Sequence, residues 1–359
     1  MMAALIFWSS CGLLGYTLIG YPAAIALWAR LRPRRDPGNG SDPTAVQTPT
    51  VTVVVVAHDE AQRIGARIDN LLALEYPRDR LAILVCSDGS TDATVELARA
   101  CPDPRVSVLA FERRRGKAAV LNDAVAAATG EIVVFADARQ RFDPDSVREL
   151  VVSFADPRVG AVSGELCFEA APGAGAVGAG VGFYWRYDKL IRRSESLVDS
   201  SVGATGAIYA LRRRLFEPIP ETTVLDDVLI PMQVVRAGYR TLFNPAARAF
   251  DRVAHSAQEE FARKVRTIAG TFQLFARHPW LLNPARNRIW VQTVSHKLLR
   301  LLGPLALAGA FTSNLMLLAS PFYRVTFGVQ VVLYSAALYE HLRSGTRRRR
   351  RRGRFTALL

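Results

Sequence analysis

The chain has only four cysteines, Cys11, Cys86, Cys101 and Cys167, and no two of them form a CxxC pair or a metal-ligand spacing. A disulfide framework and a structural zinc site are excluded as organising devices, and free thiols in a reducing compartment are expected. Charged side chains are absent from residues 1–29. A bilayer core needs roughly 20 apolar residues in a helix, so this stretch is expected to span a membrane. It lacks the basic start and small-residue end of a cleaved signal peptide and runs instead into Arg30, Arg32, Arg34 and Arg35. Acids are the minority charge, with 32 Asp and Glu against 46 Lys and Arg. The surplus points to anionic lipid, phosphate-bearing substrates or nucleic acid as partners. No GxGxxG follows the first strand candidate, and Gly116-Lys117 fails the P-loop pattern because Phe111 and Ala118 stand at its ends. A P-loop NTPase and a classical dinucleotide enzyme therefore lose support.

What is present is an alternation of strand and helix that begins after a Pro, Gly, Ser and Thr linker over residues 37–49. Residues 51–57, 81–87 and 131–136 are short, β-branched runs, each expected to be a strand buried on both faces, and 106–110 is a weaker one. Helices are expected at 93–100 and 118–128. The first strand runs into His58, Asp59 and Glu60, the second into Asp88 and the third into Asp137. In an open α/β sheet, ligands bind at the carboxyl ends of the strands, so three strands delivering acids to one edge predict a site there. Acids at that edge suit a metal-bridged diphosphate better than a glycine cradle. The cluster Arg113, Arg114, Arg115 and Lys117 would neutralise such a diphosphate, or form a solvated basic loop.

The segments VTVVVVAHDE, EYPRDRLAILVCSDGSTDAT, RGKAAVLNDAV, VFADARQRF, SGEL, GATGAIYALRR and LDDVLIPMQVVRAGYR occur in that order over residues 51–270. In sequence and spacing this resembles the membrane-bound family 2 inverting glycosyltransferases. The resemblance implies an α/β GT-A fold (Rossmann-like, mostly parallel sheet) and transfer of a sugar from a nucleotide-sugar donor, with a UDP-sugar expected, to a lipid-linked or glycan acceptor. By the same analogy Ala57, Glu60, Asp88, Lys117, Asp137 and Arg139 meet the donor. Asp137 opens a DxD-type motif for Mg2+ or Mn2+, and Asp227, with Asp226 before it, is the catalytic base. Arg139 stands where the second acid of the DxD motif would be, so the metal loses one protein ligand or Arg139 itself offsets phosphate charge. Asp226 replaces the usual Glu, and no QxxRW follows, which argues against processive synthesis.

Leu225, Val228, Leu229, Met232 and Val235 repeat at helical spacing, and Pro231 belongs in a first turn. A helix starting near Asp227 or Val228 is expected, with both acids free to face a cleft. Aromatics and cations mix at Phe183, Tyr184, Trp185, Arg186, Tyr187, Lys189, Arg192 and Arg193, and again over 258–282, as in helices lying among lipid headgroups. Residues 301–319 and 325–339 are candidate crossings, which would return Arg347–Arg352 and Arg354 to the cytoplasmic side with Arg30–Arg35. The expected organisation is a transmembrane helix at 1–30, a basic linker at 31–49 and a cytoplasmic catalytic domain at 50–257. Amphipathic interface helices follow at 258–297, two transmembrane helices at 298–342 and an Arg-rich tail at 343–359. The protein is expected multi-pass in the inner (cytoplasmic) membrane, held by anionic lipids, and without nucleic acid because no base-stacking aromatic pattern occurs. The competing reading is a catalytically impaired, nucleotide-sugar-binding membrane scaffold.

Overall fold

The computed structural model describes residues 1–32, 48–169, 176–252 and 257–355. Arg34, Arg35 and most of the 37–49 linker lie outside the described residues, as do Leu359 and the side chains of Phe183, Tyr184 and the arginines from 347 onward.

Eight strands form one sheet: β1 Val51–Ala57, β2 Leu81–Asp88, β3 Val106–Phe111, β4 Ile132–Asp137, β5 Arg141–Phe142, β6 Val159–Glu169, β7 Ile208–Arg212 and β8 Arg240–Arg252. Their order is β3-β2-β1-β4-β7-β6-β8-β5. β3, β2, β1 and β4 are parallel, whereas β7 runs against both β4 and β6, and β5 runs against β8. The sheet is mostly parallel, as the βα alternation requires.

Alternation along the strands explains why they read as continuous apolar runs. Val51, Val53 and Val55 face a core built with Ile64, Ile68 and Leu71 of the helix Ala61–Leu72. Val54, Val133 and Phe135 face the opposite core, with Val120 and Leu121 of the helix Lys117–Ala127 and Leu229 and Met232 of the helix Asp226–Arg236. Both faces are covered, so both parities must be hydrophobic. Register then aligns the strand ends: Val56 of β1 pairs with Cys86 on one side and with Asp137 on the other. Ala57, Asp88 and Asp137 thereby reach the same edge.

Met2–Leu31 is a 30-residue apolar helix, the one helix among the described residues long and apolar enough to cross a membrane. Its middle, Tyr16–Gly20, is a π-helical turn. The expected crossing at 301–319 is divided differently. Trp290–Leu301 and Gly303–Met316 meet at a 54° bend, and the two together would pass as a second span. Pro304 explains the break, because it has no N–H for the carbonyl of Arg300. Residues 325–339 lie within the longer helix Pro321–Phe355.

In the helix Ala176–Val198, Trp185 and Tyr187 meet protein. Trp185 packs on Phe168 with ring centroids 5.2 Å apart, and the Tyr187 hydroxyl donates to the carbonyl of Leu18 at 2.9 Å. The helix Ala257–Arg277 does the reverse. It buries Leu274 and Phe275 but exposes Phe261, Val265, Ile268 and Phe272 along one stripe.

Candidate active site at the strand edge

Asp137 ends β4, and its Oδ1 lies 3.0 Å from Nζ of Lys117. Lys117 is the first residue of its helix, delivered there by Gly116 at φ +95°. The same Nζ lies 3.5 Å from Oδ2 of Asp226, which opens the helix Asp226–Arg236. Burial pulls the Lys117 ammonium down, and the charges of Asp226, Asp137 and Asp227 outweigh it and hold it protonated above its ordinary value. Asp226 is buried, and its Oδ2 has no hydrogen-bond partner among the described residues. Tyr209 of β7 completes the floor. Its ring stacks on Phe135 at 4.5 Å, and its fully buried hydroxyl has no hydrogen-bond partner among the described residues. Burial, and then the charges of Asp226, Asp227 and Asp137, push that hydroxyl well above the ordinary range and keep it protonated.

Asp227 is held from two sides. Its Oδ2 accepts from the N–H of Gly206 at 3.2 Å, and its main-chain oxygen accepts from the N–H of Ala204 at 2.7 Å. Pro231 makes the second contact available, because the residue four positions on would ordinarily donate to that carbonyl and proline cannot. The helix begins at Asp226 rather than at 227 or 228, since Leu225 O already accepts from Val228 and Leu229, and Pro231 falls in the second turn. Gly203, at φ +85°, lets this loop close on the helix; a Cβ there would lie 3.1 Å from Cα of Val228. Burial first, and Asp226 second, push the Asp227 carboxyl up to about 6. Lys117, Lys297 and Arg192 oppose the rise.

Ala57, Glu60 and Asp88, which the resemblance assigns to the nucleoside, lie along the same edge. Asp88 is buried, and its two oxygens accept from the N–H groups of Arg115 and Gly116 at 2.6 to 3.1 Å. Its carboxylate orders the basic loop rather than standing free at the surface. Gly89 permits that approach, because a Cβ on it would meet the backbone N of Arg114 at 2.4 Å. Ala57 is buried, so what it can offer a ligand is backbone. Glu60 pairs with Arg63 at 2.6 Å and remains partly exposed.

Arg139 does not turn toward Asp137. Its Nε lies 3.1 Å from Oδ2 of Asp251, which also accepts from Nε2 of Gln140 at 3.0 Å. The pairing of Arg141 with Phe250 brings β8 to this loop. Asp251 is a part of the site that motif reading did not include, whereas the 203–206 loop and Tyr209 lie within the segment GATGAIYALRR but were given no role there. For Tyr209 a signal existed, an aromatic hydroxyl in a strand that must be buried on both faces.

Asp137 and the orphaned Asp226 oxygen are hard donors suited to Mg2+ or Mn2+. They fit such an ion as a guest shared with a diphosphate, since Arg139 occupies the second ligand position. Among the described residues no group of three or more His, Cys, Asp and Glu could hold a metal by itself.

With this geometry in view, the sequence profile of glycosyl transferase family 2 matches residues 52–217. A mannosyltransferase from Pyrobaculum calidifontis, solved in complex with GDP-Man and Mn2+, is similar over 93% of this chain and 98% of its own, at 26% identity and a TM-score of 0.70. The succinoglycan biosynthesis protein ExoO of Rhizobium meliloti is 35% identical over 30% of this chain and 31% of its own length. Poly-beta-1,6-N-acetyl-D-glucosamine synthase of Staphylococcus aureus is 23% identical over 63% of this chain and 56% of its own. The match thus spans less than two thirds of either curated relative.

Proposed function

We propose that this chain, whose residues 52–217 match the profile of glycosyl transferase family 2 and whose fold is similar to that of a solved mannosyltransferase, is a family 2 glycosyltransferase that moves a sugar from a nucleotide-sugar donor to a hydroxyl of a lipid-linked or glycan acceptor, with inversion, at the cytoplasmic face of a membrane. The observation that carries this reading is the convergence of Asp137, Asp226 and Asp227 around the Lys117 ammonium at one strand edge. A ring of carboxylates with a fixed cation is suited to a diphosphate and a hydroxyl, which need charge neutralised at one end and a proton removed at the other.

In this proposal Asp227 takes the acceptor proton. The acceptor oxygen then forms its bond to the anomeric carbon while the bond to the diphosphate breaks on the opposite face. Lys117 offsets the charge that gathers on the leaving nucleotide, and Arg139 adds a second cation on leaving Asp251. Mg2+ or Mn2+, held by Asp137 and phosphate oxygens, would supply further charge stabilisation. The backbone at Ala57, together with Glu60 and the loop ordered by Asp88, would bound the nucleoside. The similar mannosyltransferase supports a GDP-sugar as well as the UDP-sugar expected from the motifs. The helix Met2–Leu31 supports membrane attachment, and the bare stripe Phe261, Val265, Ile268 and Phe272 supports a bilayer surface beside the acceptor, with anionic lipids facing the basic residues. The second reading, a nucleotide-sugar-binding scaffold, rests on Arg139 at the second acid position.

A panel of GDP-mannose, UDP-glucose and UDP-N-acetylglucosamine tests the proposal on purified full-length protein by thermal shift and by nucleotide release, with Mn2+ or with chelator. One donor is expected to raise Tm and to be turned over. Asp137→Ala is expected to abolish turnover with the fold intact, and Mn2+ is expected to bind poorly without nucleotide. Binding of a donor without turnover under any metal condition would select the scaffold reading.

A further inference from the structure

One buried polar cluster is not used by the transfer site. Glu195 is completely buried in the helix Ala176–Val198, and its Oε1 accepts from the Tyr21 hydroxyl at 2.6 Å and lies 2.9 Å from Nδ1 of His296. The other ring nitrogen of His296 faces Asp188 at 3.3 Å. Tyr21, Glu195 and His296 are each no more than 2% exposed. Three chain segments meet here: the N-terminal apolar helix, the helix Ala176–Val198, and the bent pair that begins at Trp290.

Two π-helical turns face each other at this junction. One is Tyr16–Gly20 and the other is Val294–Leu298, and the Tyr16 hydroxyl lies 2.8 Å from the Ser295 hydroxyl across the gap. π-helical turns are rare, and they occur frequently at functional sites. A Phe at 21 and apolar partners at 195 and 296 would pack the same junction without the cost of burying a carboxylate. The polar solution therefore calls for a task beyond cohesion.

That task is visible in the second oxygen of Glu195. Oε2 accepts from the N–H of Val202 at 3.2 Å. Val202 immediately precedes Gly203 to Gly206, the loop whose Ala204 and Gly206 N–H groups hold the carbonyl and carboxylate of Asp227. A continuous series of hydrogen bonds and short backbone thus runs from Tyr21 through Glu195 and Val202 to Asp227. We propose that Glu195 is a positioning residue for Asp227, through which the N-terminal apolar helix sets the geometry of transfer. The proposal rests on the reading of Asp227 as the base.

The test is a double-mutant cycle on the full-length protein, using the donor from the same panel that the wild type turns over fastest. Tyr21→Phe and Glu195→Gln are each expected to lower kcat by about tenfold with donor KM changed less than about twofold, since a displacement near 1 Å can cost about 10²-fold. On an Asp227→Asn background the same substitutions are expected to change the residual rate by less than about twofold, because residues acting through one another do not add. Losses that multiply on that background would overturn the coupling while leaving Asp227 as the base. A fully active Asp227→Asn enzyme would overturn the base assignment and the coupling with it. If Glu195→Gln does not fold, Tyr21→Phe, which removes a single hydroxyl, decides alone.

Discussion

At the scale of single residues, the site is defined by how unlike environments treat like side chains. Asp227 sits in a closed surrounding beside Asp226, with Lys117, Lys297 and Arg192 only partly offsetting the pair, and its carboxyl is pushed up to about 6. A base works only when deprotonated, so kcat/KM is expected to fall about tenfold per pH unit as pH drops through about 6, where an ordinary aspartate would hold out two units lower. A pH–rate profile checks this inflection. Loss of a general base typically costs about 10² to 10⁴ in rate. Asp227→Asn is expected to show that loss with donor binding kept, and Asp226→Asn a smaller one. The opposite ranking in equally folded proteins would move the base to Asp226. Asp137 was legible in the sequence because an apolar run ends on it, and Asp226 and Asp227 through the resemblance to the family motif in which they stand. Asp251 was not, since its approach to Arg139 depends on β8 pairing with β5, about a hundred residues apart, and no local pattern encodes that partner.

Elements show the same division between local and distant causes. β1, β2 and β4 were readable to within a residue because both faces of each strand are buried, which leaves no polar position to blur the run. The helix at Asp226 was readable in period but not in start. Pro231 fits no ordinary interior position, and its tolerance comes from Ala204, which takes over the carbonyl left without an intrahelical donor. Pro231→Ala would restore a competing N–H for Asp227 O. It is expected to leave Tm equal or higher while lowering kcat, a trade of activity for helix regularity that paired melting and rate measurements would reveal. In the helix Ala257–Arg277, where the sequence leads to the expectation of an interface helix, Phe261, Val265, Ile268 and Phe272 are exposed, and a bilayer contact there is a proposal. Phe261→Asp with Phe272→Asp is expected to leave the fold unchanged and to weaken turnover of a membrane-embedded acceptor more than donor hydrolysis in detergent. Equal losses in both assays would show that the stripe is not a bilayer contact.

For the molecule as a whole, the sheet was legible as a class, but the antiparallel insertion of β7 between β4 and β6 was not, because about seventy residues separate β7 from β4 and about forty from β6. The membrane topology remains a proposal with a direct check. Three crossings, as expected from the sequence, would with the two arginine clusters put Met1 outside and Leu359 in the cytoplasm, whereas the described residues hold one helix long and apolar enough to cross, or two if the bent pair is one span. Reporter fusions at each end are expected to read those sides, and an extracytoplasmic signal at Leu359 would remove one crossing. The junction of Tyr21, Glu195 and His296 also imposes an order in time. At about 5 to 20 residues per second, a ribosome needs roughly 14 to 55 s to travel from Tyr21 to His296. β8 ends at Arg252, so β1 to β8 can be complete roughly 2 to 9 s before His296 is added, and through that time Glu195 lacks one of its partners. On the proposed reading of the site, a nascent chain then has its sheet folded before Asp227 is fully aligned, so synthesis itself would delay turnover until the segments of Tyr21 and His296 have met.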